Sequence, residues 1–183
     1  MKRKDFLKKI CISGICACSG SAFLSQKEAT ADDNQTAQNE DWRLGFSRTR
    51  YTELMRILQS KLSNKEFDEI IQALGRECSA KVGFIQNYKG DIEGYLKELK
   101  KRWNEDSTYD QDKGIITVAS QERKACVCPL IDTEKVSDEV CNCSLGWQKQ
   151  TFETVLEKKV DVRIIESIIR GGKKCSFEIK ILT

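Results

Sequence analysis

Two Cys-x-Cys pairs, Cys126-Val-Cys128 and Cys141-Asn-Cys143, face each other across a twelve-residue spacer. Four thiols concentrated in 18 residues form either a metal site or a redox and disulfide cluster, and the fold has to accommodate one or the other. The chain contains no histidine. A tetrahedral metal centre would therefore be thiolate-rich, with carboxylates as the only ionisable oxygen ligands, and imidazole acid–base chemistry is absent.

The first 24 residues read as a targeting segment rather than as part of the folded domain. A basic cluster, Lys2, Arg3, Lys4, Lys8 and Lys9, runs into a short stretch of small and apolar residues from Ile10 to Leu24, which is the order of a signal peptide. That stretch is broken by glycine and serine and falls short of the roughly 20 apolar residues of a membrane span. Residues 1–24 are thus expected to direct export, to the periplasm or cell envelope, with a retained amphipathic helix as the alternative. Ile15-Cys-Ala-Cys18 has the form of a lipoprotein box and makes Cys18 the candidate for lipidation and membrane anchoring, while Ser19-Gly-Ser-Ala22 offers a rival cleavage site. Lys2-Arg3 resembles part of a twin-arginine signal. Residues 25–43 are polar and lack apolar periodicity, as a tether does.

Setting the leader aside changes the charge argument. Its five basic side chains stand against Asp5 alone, so the whole-chain +3 becomes about −1. The basicity belongs to targeting and gives no support for nucleic-acid binding. Residues 44–183 suffice for one domain with its own core, and it keeps Cys78, Cys126, Cys128, Cys141, Cys143 and Cys175.

The front of this domain reads as helical. Tyr51, Leu54, Met55, Leu58 and Leu62 recur at spacings of three and four, which defines one apolar face. Ser63 and Glu66 form a capping-box pattern for a second helix, with Phe67, Ile70, Ile71 and Leu74 as its stripe and Gly75 interrupting or ending it. If that helix continues, Cys78 follows Leu74 on the same stripe with its thiol inward. Ile92, Tyr95, Leu96, Leu99 and Trp103 predict a third helix.

Beyond Trp103 the pattern changes. Asn104 to Gly114 reads as a polar connection, Ile115 to Ala119 as a strand, and Arg123 to Cys128 as a returning strand closed by Pro129. In a strand Cys126 and Cys128 would present both thiols to one side. Ser144 is the expected cap of a further helix with Trp147, Thr151, Phe152, Val155 and Leu156 inward. Cys141 and Cys143 would then lie just before the helix start, where the positive end of the dipole lowers thiol pKa. Val160, Val162 and Ile164 alternate, Gly171-Gly172 supplies a turn, and Cys175, Phe177, Ile179 and Leu182 follow as the returning strand, with Cys175 a core residue ahead of a ligand. The expected architecture is α+β: N-terminal helices packed on an antiparallel sheet, with a C-terminal β-hairpin.

The stretch from Cys141 through Leu156, and then Val160 to Ile179, resembles the C-terminal half of L-2-amino-thiazoline-4-carboxylic acid hydrolase-like proteins. It is also similar to vinyl-4-reductase-type ligand-binding domains, whose ending of a glycine turn, two residues, cysteine, any residue and phenylalanine is matched by Gly172-Lys-Lys-Cys175-Ser-Phe177. The resemblance covers residues 115–181 in motif and 45–103 in helical character. It implies helices on one side of an antiparallel sheet, a ligand or metal pocket near the cysteines and, for the hydrolases, opening of a thiazoline ring to an N-carbamoyl cysteine.

Three functions follow as expectations. Thiolates from Cys78, Cys126, Cys128, Cys141 and Cys143 could hold zinc or iron, closed as a structural site or open for Lewis-acid chemistry. The same cysteines could form disulfides suited to an exported protein, paired across the two motifs. Or Cys143, or a metal-bound water, could attack a cyclic C–N bond, with Glu77, Asp132, Glu134, Asp138 or Glu139 relaying a proton. Trp147 is the candidate ligand-pocket residue, with a core role as the alternative. Expected partners are a small-molecule ligand or metal, the membrane through a lipidated N-terminus, and a second copy in a homodimer.

Overall fold

The computed structural model describes residues 42–182. The leader, its cleavage sites, Cys18 and residues 25–41 lie outside the described residues. Helix α1, Trp42–Lys61, turns Met55 and Thr52 inward, with Tyr51, Leu58 and Leu62 half-buried beside them. Leu54, expected on this stripe, lies to one side of it and is 49% exposed. Helix α2, Asn64–Ala80, starts on the capping box: the Ser63 hydroxyl accepts from the Glu66 amide and the Glu66 carboxylate accepts from the Ser63 amide. Two orphan N–H groups are satisfied reciprocally, which fixes the helix start.

Gly75 does not end α2. It is buried where α2 crosses α4, Asn142–Leu156. A Cβ at Gly75 would collide with the carbonyl of Cys143, and one at Gly146 would collide with the carbonyl of Gln72. The two glycines therefore serve close backbone approach rather than chain reversal. Polar bonds line the same crossing: the Ser79 and Thr151 hydroxyls pair at 2.7 Å in the interior, Arg76 meets Glu153 at 2.8 Å, and Asn142 donates to Asp68 at 2.6 Å.

After a 3₁₀ turn at Gly83–Tyr88, α3, Ile92–Trp103, is capped by Asp91, whose carboxylate accepts from the Gly94 amide at 2.8 Å. It ends at Asn104 in the left-handed region, φ 54°, which asparagine tolerates well. Four strands follow: β1, Asp106–Asp110; β2, Ile115–Ala119; β3, Val160–Glu166; and β4, Ser176–Ile181. They form one antiparallel sheet in the order β1-β2-β4-β3. The α+β class and the C-terminal hairpin are as expected from sequence.

One face of the sheet is apolar. Ile116 pairs with Ile179 and Val118 with Phe177, and Tyr95, Leu96, Leu99, Phe152 and Val155 from α3 and α4 pack over them. The opposite face carries the cross-strand ion pair Arg163–Glu178 at 2.7 Å. A second core joins Met55 of α1, Phe67 and Ile71 of α2, and Val140.

Three local expectations are corrected. Residues 106–110 form edge strand β1 rather than a connection; Tyr109 is their one large apolar side chain, too weak a pattern to betray a strand. Arg123 to Cys128 is not a strand. After Ala119 only two bonds continue the ladder, Ser120 N–H to the Cys175 carbonyl and Arg123 N–H to the Lys173 carbonyl. Val127 is 65% exposed and Pro129 has no N–H to give, so residues 120–137 run as an irregular strap. Finally, a 3₁₀ turn at Asp138–Cys141 feeds directly into α4 with no side-chain cap, which puts Ser144 inside the helix rather than at its cap. No helix among the described residues is long and apolar enough to cross a membrane.

Candidate functional site

The strap, the start of α4 and the ends of β3 and β4 enclose a cavity of about 500 Å³. Its walls include Trp147 and Ser144 from α4, Ile164 from β3, Phe177 from β4 and Trp103 from the end of α3. Four cysteines border it: Cys126 and Cys128 on the strap, Cys141 at the α4 start and Cys175 before β4. Cys175 is held by Ser120 through both its N–H and its carbonyl, the N–H donating to the Ser120 hydroxyl at 3.1 Å and the carbonyl accepting the Ser120 N–H at 2.8 Å. The Cys141 thiol donates to the Ser167 hydroxyl at 3.5 Å. Trp147, proposed from sequence as a pocket residue, borders the cavity half-buried.

Cys143 lies behind this wall, packed with Tyr51 against the second core. Cys78 is exposed rather than inward-facing. Helix α2 does continue past Gly75, but Cys78 falls outside the stripe of Phe67, Ile71, Gly75 and Ser79 that α2 buries. The thiols nonetheless form one connected group: Cys143 feels the charges of Cys78, Cys128 and Cys141, Cys128 feels Cys126, and Cys141 feels Cys126 and Cys175. All six described cysteines are free thiols, and among the described residues no group of three or more histidine, cysteine, aspartate or glutamate side chains is arranged to hold a metal ion.

The helix start does not lower these pKa values. Burial pushes the Cys143 thiol up to about 11, reinforced by Cys78, Cys128 and Cys141. Cys141 is raised by burial despite its bond to Ser167, and Cys128 is raised by burial despite the Leu130 and Ile131 amides directed at its sulfur. Desolvation of a thiolate here outweighs the partial charge of a helix end. Tyr51 is pushed up to about 12 by burial and then by Cys143, Cys128 and Cys78.

The carboxylates proposed as proton relays do not border the cavity. Glu77 and Glu134 are exposed, Asp132 pairs with Lys135 at 2.7 Å, Asp138 with Arg170 at 3.4 Å, and Glu139 accepts from Gln59 and Ser137. The charged groups that do border it, Glu105 and Arg123, were not singled out in the sequence. Burial raises the Glu105 carboxyl while Arg123 draws it down. Neither residue stands in a spacing that marks it; only the folding of the strap onto the sheet brings them to one cavity.

Fold and site together define an α+β domain with a cysteine-bordered cavity. The chain belongs to the family of unknown function DUF6144, whose family model matches residues 30–183; the hydrolase family that its C-terminal half resembles is not the one matched. No curated protein matches the chain in sequence. Among solved structures, the chain has the fold of a trafficking protein particle complex subunit 3 from Naegleria fowleri covalently bound to palmitic acid, at TM-score 0.50 and 12% identity over 79% of this chain and 98% of that one. A vinyl-4-reductase family protein from Methanocaldococcus jannaschii is a weaker structural neighbour, at TM-score 0.37 and 15% identity over 76% of this chain and 82% of that one.

Proposed function

We propose that the domain is a binding module for a small molecule with a substantial apolar part, received in the cavity between strap, α4 and sheet. The observation that carries this reading is the cavity itself: about 500 Å³, walled by Trp147, Phe177, Ile164 and Trp103 with few convergent polar groups, the usual constitution of a small-molecule site. The trafficking subunit of similar fold, whose structure contains palmitic acid, agrees with an acyl-sized occupant. Because Trp103 and Trp147 border the cavity, a bound ligand should quench tryptophan fluorescence saturably. Filling the space with Ser144→Trp should abolish binding of a hydrophobic fluorescent probe while leaving thermal unfolding cooperative. A Ser144→Trp protein that binds the probe as before would refute the assignment.

A second reading concerns the thiols. Cross-motif pairing of Cys126 and Cys128 with Cys141 and Cys143 would suit an exported protein, one that Cys18 would anchor to a membrane. Intact mass before and after reduction, on protein from an oxidising compartment, tests this: loss of the thiol hydrogens supports disulfides, whereas a metal-sized excess lost on denaturation would support zinc or iron held by thiolates. Ring-opening hydrolysis by Cys143 is the least favoured, since that thiol, pushed up to about 11, is protonated at neutral pH and a nucleophile needs the thiolate.

A further inference from the structure

We infer that the cavity's ligand is an anionic amphiphile, a carboxylic acid with an apolar chain, and that Arg123 is the residue that receives its headgroup. This inference rests on the ligand-binding reading and specifies its chemistry. Among the described residues Arg123 is the one cation bordering a mainly apolar cavity whose other charged group is Glu105, and it is anchored through its main chain, whose N–H donates to the Lys173 carbonyl at 3.0 Å. Its side chain is little used by the described residues: the guanidinium bond they provide is a long one, 3.4 Å from Nε to the Gln121 carbonyl, beyond the usual 2.7–3.2 Å of such bonds. Glu105 borders the same cavity and interacts with Arg123 electrostatically, yet the two form no ion pair.

A guanidinium has five donors in a planar fork suited to a carboxylate. Here the Nη groups find no hydrogen-bond partner among the described residues, at the edge of a space walled largely by Trp, Phe, Ile and cysteine side chains. A half-buried, under-used cation beside apolar walls suits a ligand with one charged end. Cys126 and Cys128 follow Arg123 on the same strap, so the headgroup would be received on the segment that also encloses the chain.

The test compares decanoate with decanol, of equal chain length, binding to the full chain at neutral pH by tryptophan quenching and calorimetry. Decanoate should bind about tenfold or more tightly than decanol, the scale of a hydrogen bond to a charged group. Arg123→Gln should erase that ratio by weakening decanoate far more than decanol, with circular dichroism and cooperative thermal unfolding reporting that the variant is folded; Arg123→Lys should retain part of the ratio. Glu105→Gln, which removes the competing negative charge, should strengthen decanoate binding several-fold relative to decanol. Equal affinity for the two probes in the unaltered protein, or an Arg123→Gln variant that keeps the ratio, would overturn the headgroup assignment and leave the cavity reading standing. Absence of binding by both probes would overturn the cavity reading and this inference with it.

Discussion

At the scale of single residues the thiols are distinguished by burial. Cys78 is exposed and Cys143 is pushed up to about 11, so in reduced protein at neutral pH an alkylating reagent should modify Cys78 first and Cys143 last, as peptide mapping over time would show; the reverse order would contradict the described packing. The same raised pKa has a consequence for stability. Above its ordinary value near 9 an unfolded Cys143 loses its proton while the folded one keeps it, so the folded state binds more protons and is progressively destabilised. Stability contributed by Cys143 is complete below about pH 9 and lost by about pH 11, with Tyr51 adding to the fall through its shift to about 12. Urea unfolding under reducing conditions across this range should show the decline, shallower in Cys143→Ala. The sequence revealed that Cys141 and Cys143 stand at a helix start, and that alone argues for acidic thiols. It did not reveal how deeply they are buried, and burial decides the direction.

Among elements, the α2–α4 crossing sets the geometry of everything above it, because α4 contributes Ser144 and Trp147 to the cavity while its other face rests on α2. Replacing Gly75 by alanine gains helix propensity of up to about 1 kcal/mol but drives a methyl group into the Cys143 carbonyl. The net expectation is a loss of about 3 kcal/mol by chemical denaturation, with a parallel weakening of ligand binding as α4 is displaced. A neutral Gly75→Ala would show that the helices have room to separate. The three N-terminal helices and the hairpin were legible because their periods of 3.6 and 2 persist over several turns or pairs. Strand β1 was not, since Asp-Ser-Thr-Tyr-Asp carries its pairing through the backbone with β2 and little through side chains. The strap misled in the opposite direction: Ala125, Val127 and the cysteines read as strand material, but beyond Arg123 no ladder bonds hold them.

For the molecule as a whole, the strap beside the cavity is held by few main-chain bonds to the start of β4 and by side-chain ties to α1 such as Arg48 Nε to the Pro129 carbonyl at 2.9 Å. Regions with sparse backbone bonding open at low free energy, so residues 120–137 should exchange amide hydrogens faster than β2 and β4. A saturating ligand should slow exchange there and raise Tm in proportion to the logarithm of its concentration; a ligand that raises Tm without protecting the strap would be bound elsewhere. From sequence, cysteine spacing and Trp147 were the candidates, and Trp147 and four of the cysteines border this cavity. Glu105 and Arg123 could not be foreseen, since their proximity is created by the strap's path.

The strand order adds a temporal consequence. β4, the last of the four described strands in the chain, lies between β2 and β3 and is hydrogen-bonded to both. During translation the emerging chain can form its helices and the β1–β2 pair early, but the central place in the sheet stays unfilled until Ser176–Ile181 has cleared the ribosome. Until then the apolar faces of α3, α4 and β2 have no permanent cover, and nascent chains are at their most dependent on chaperone protection in that interval.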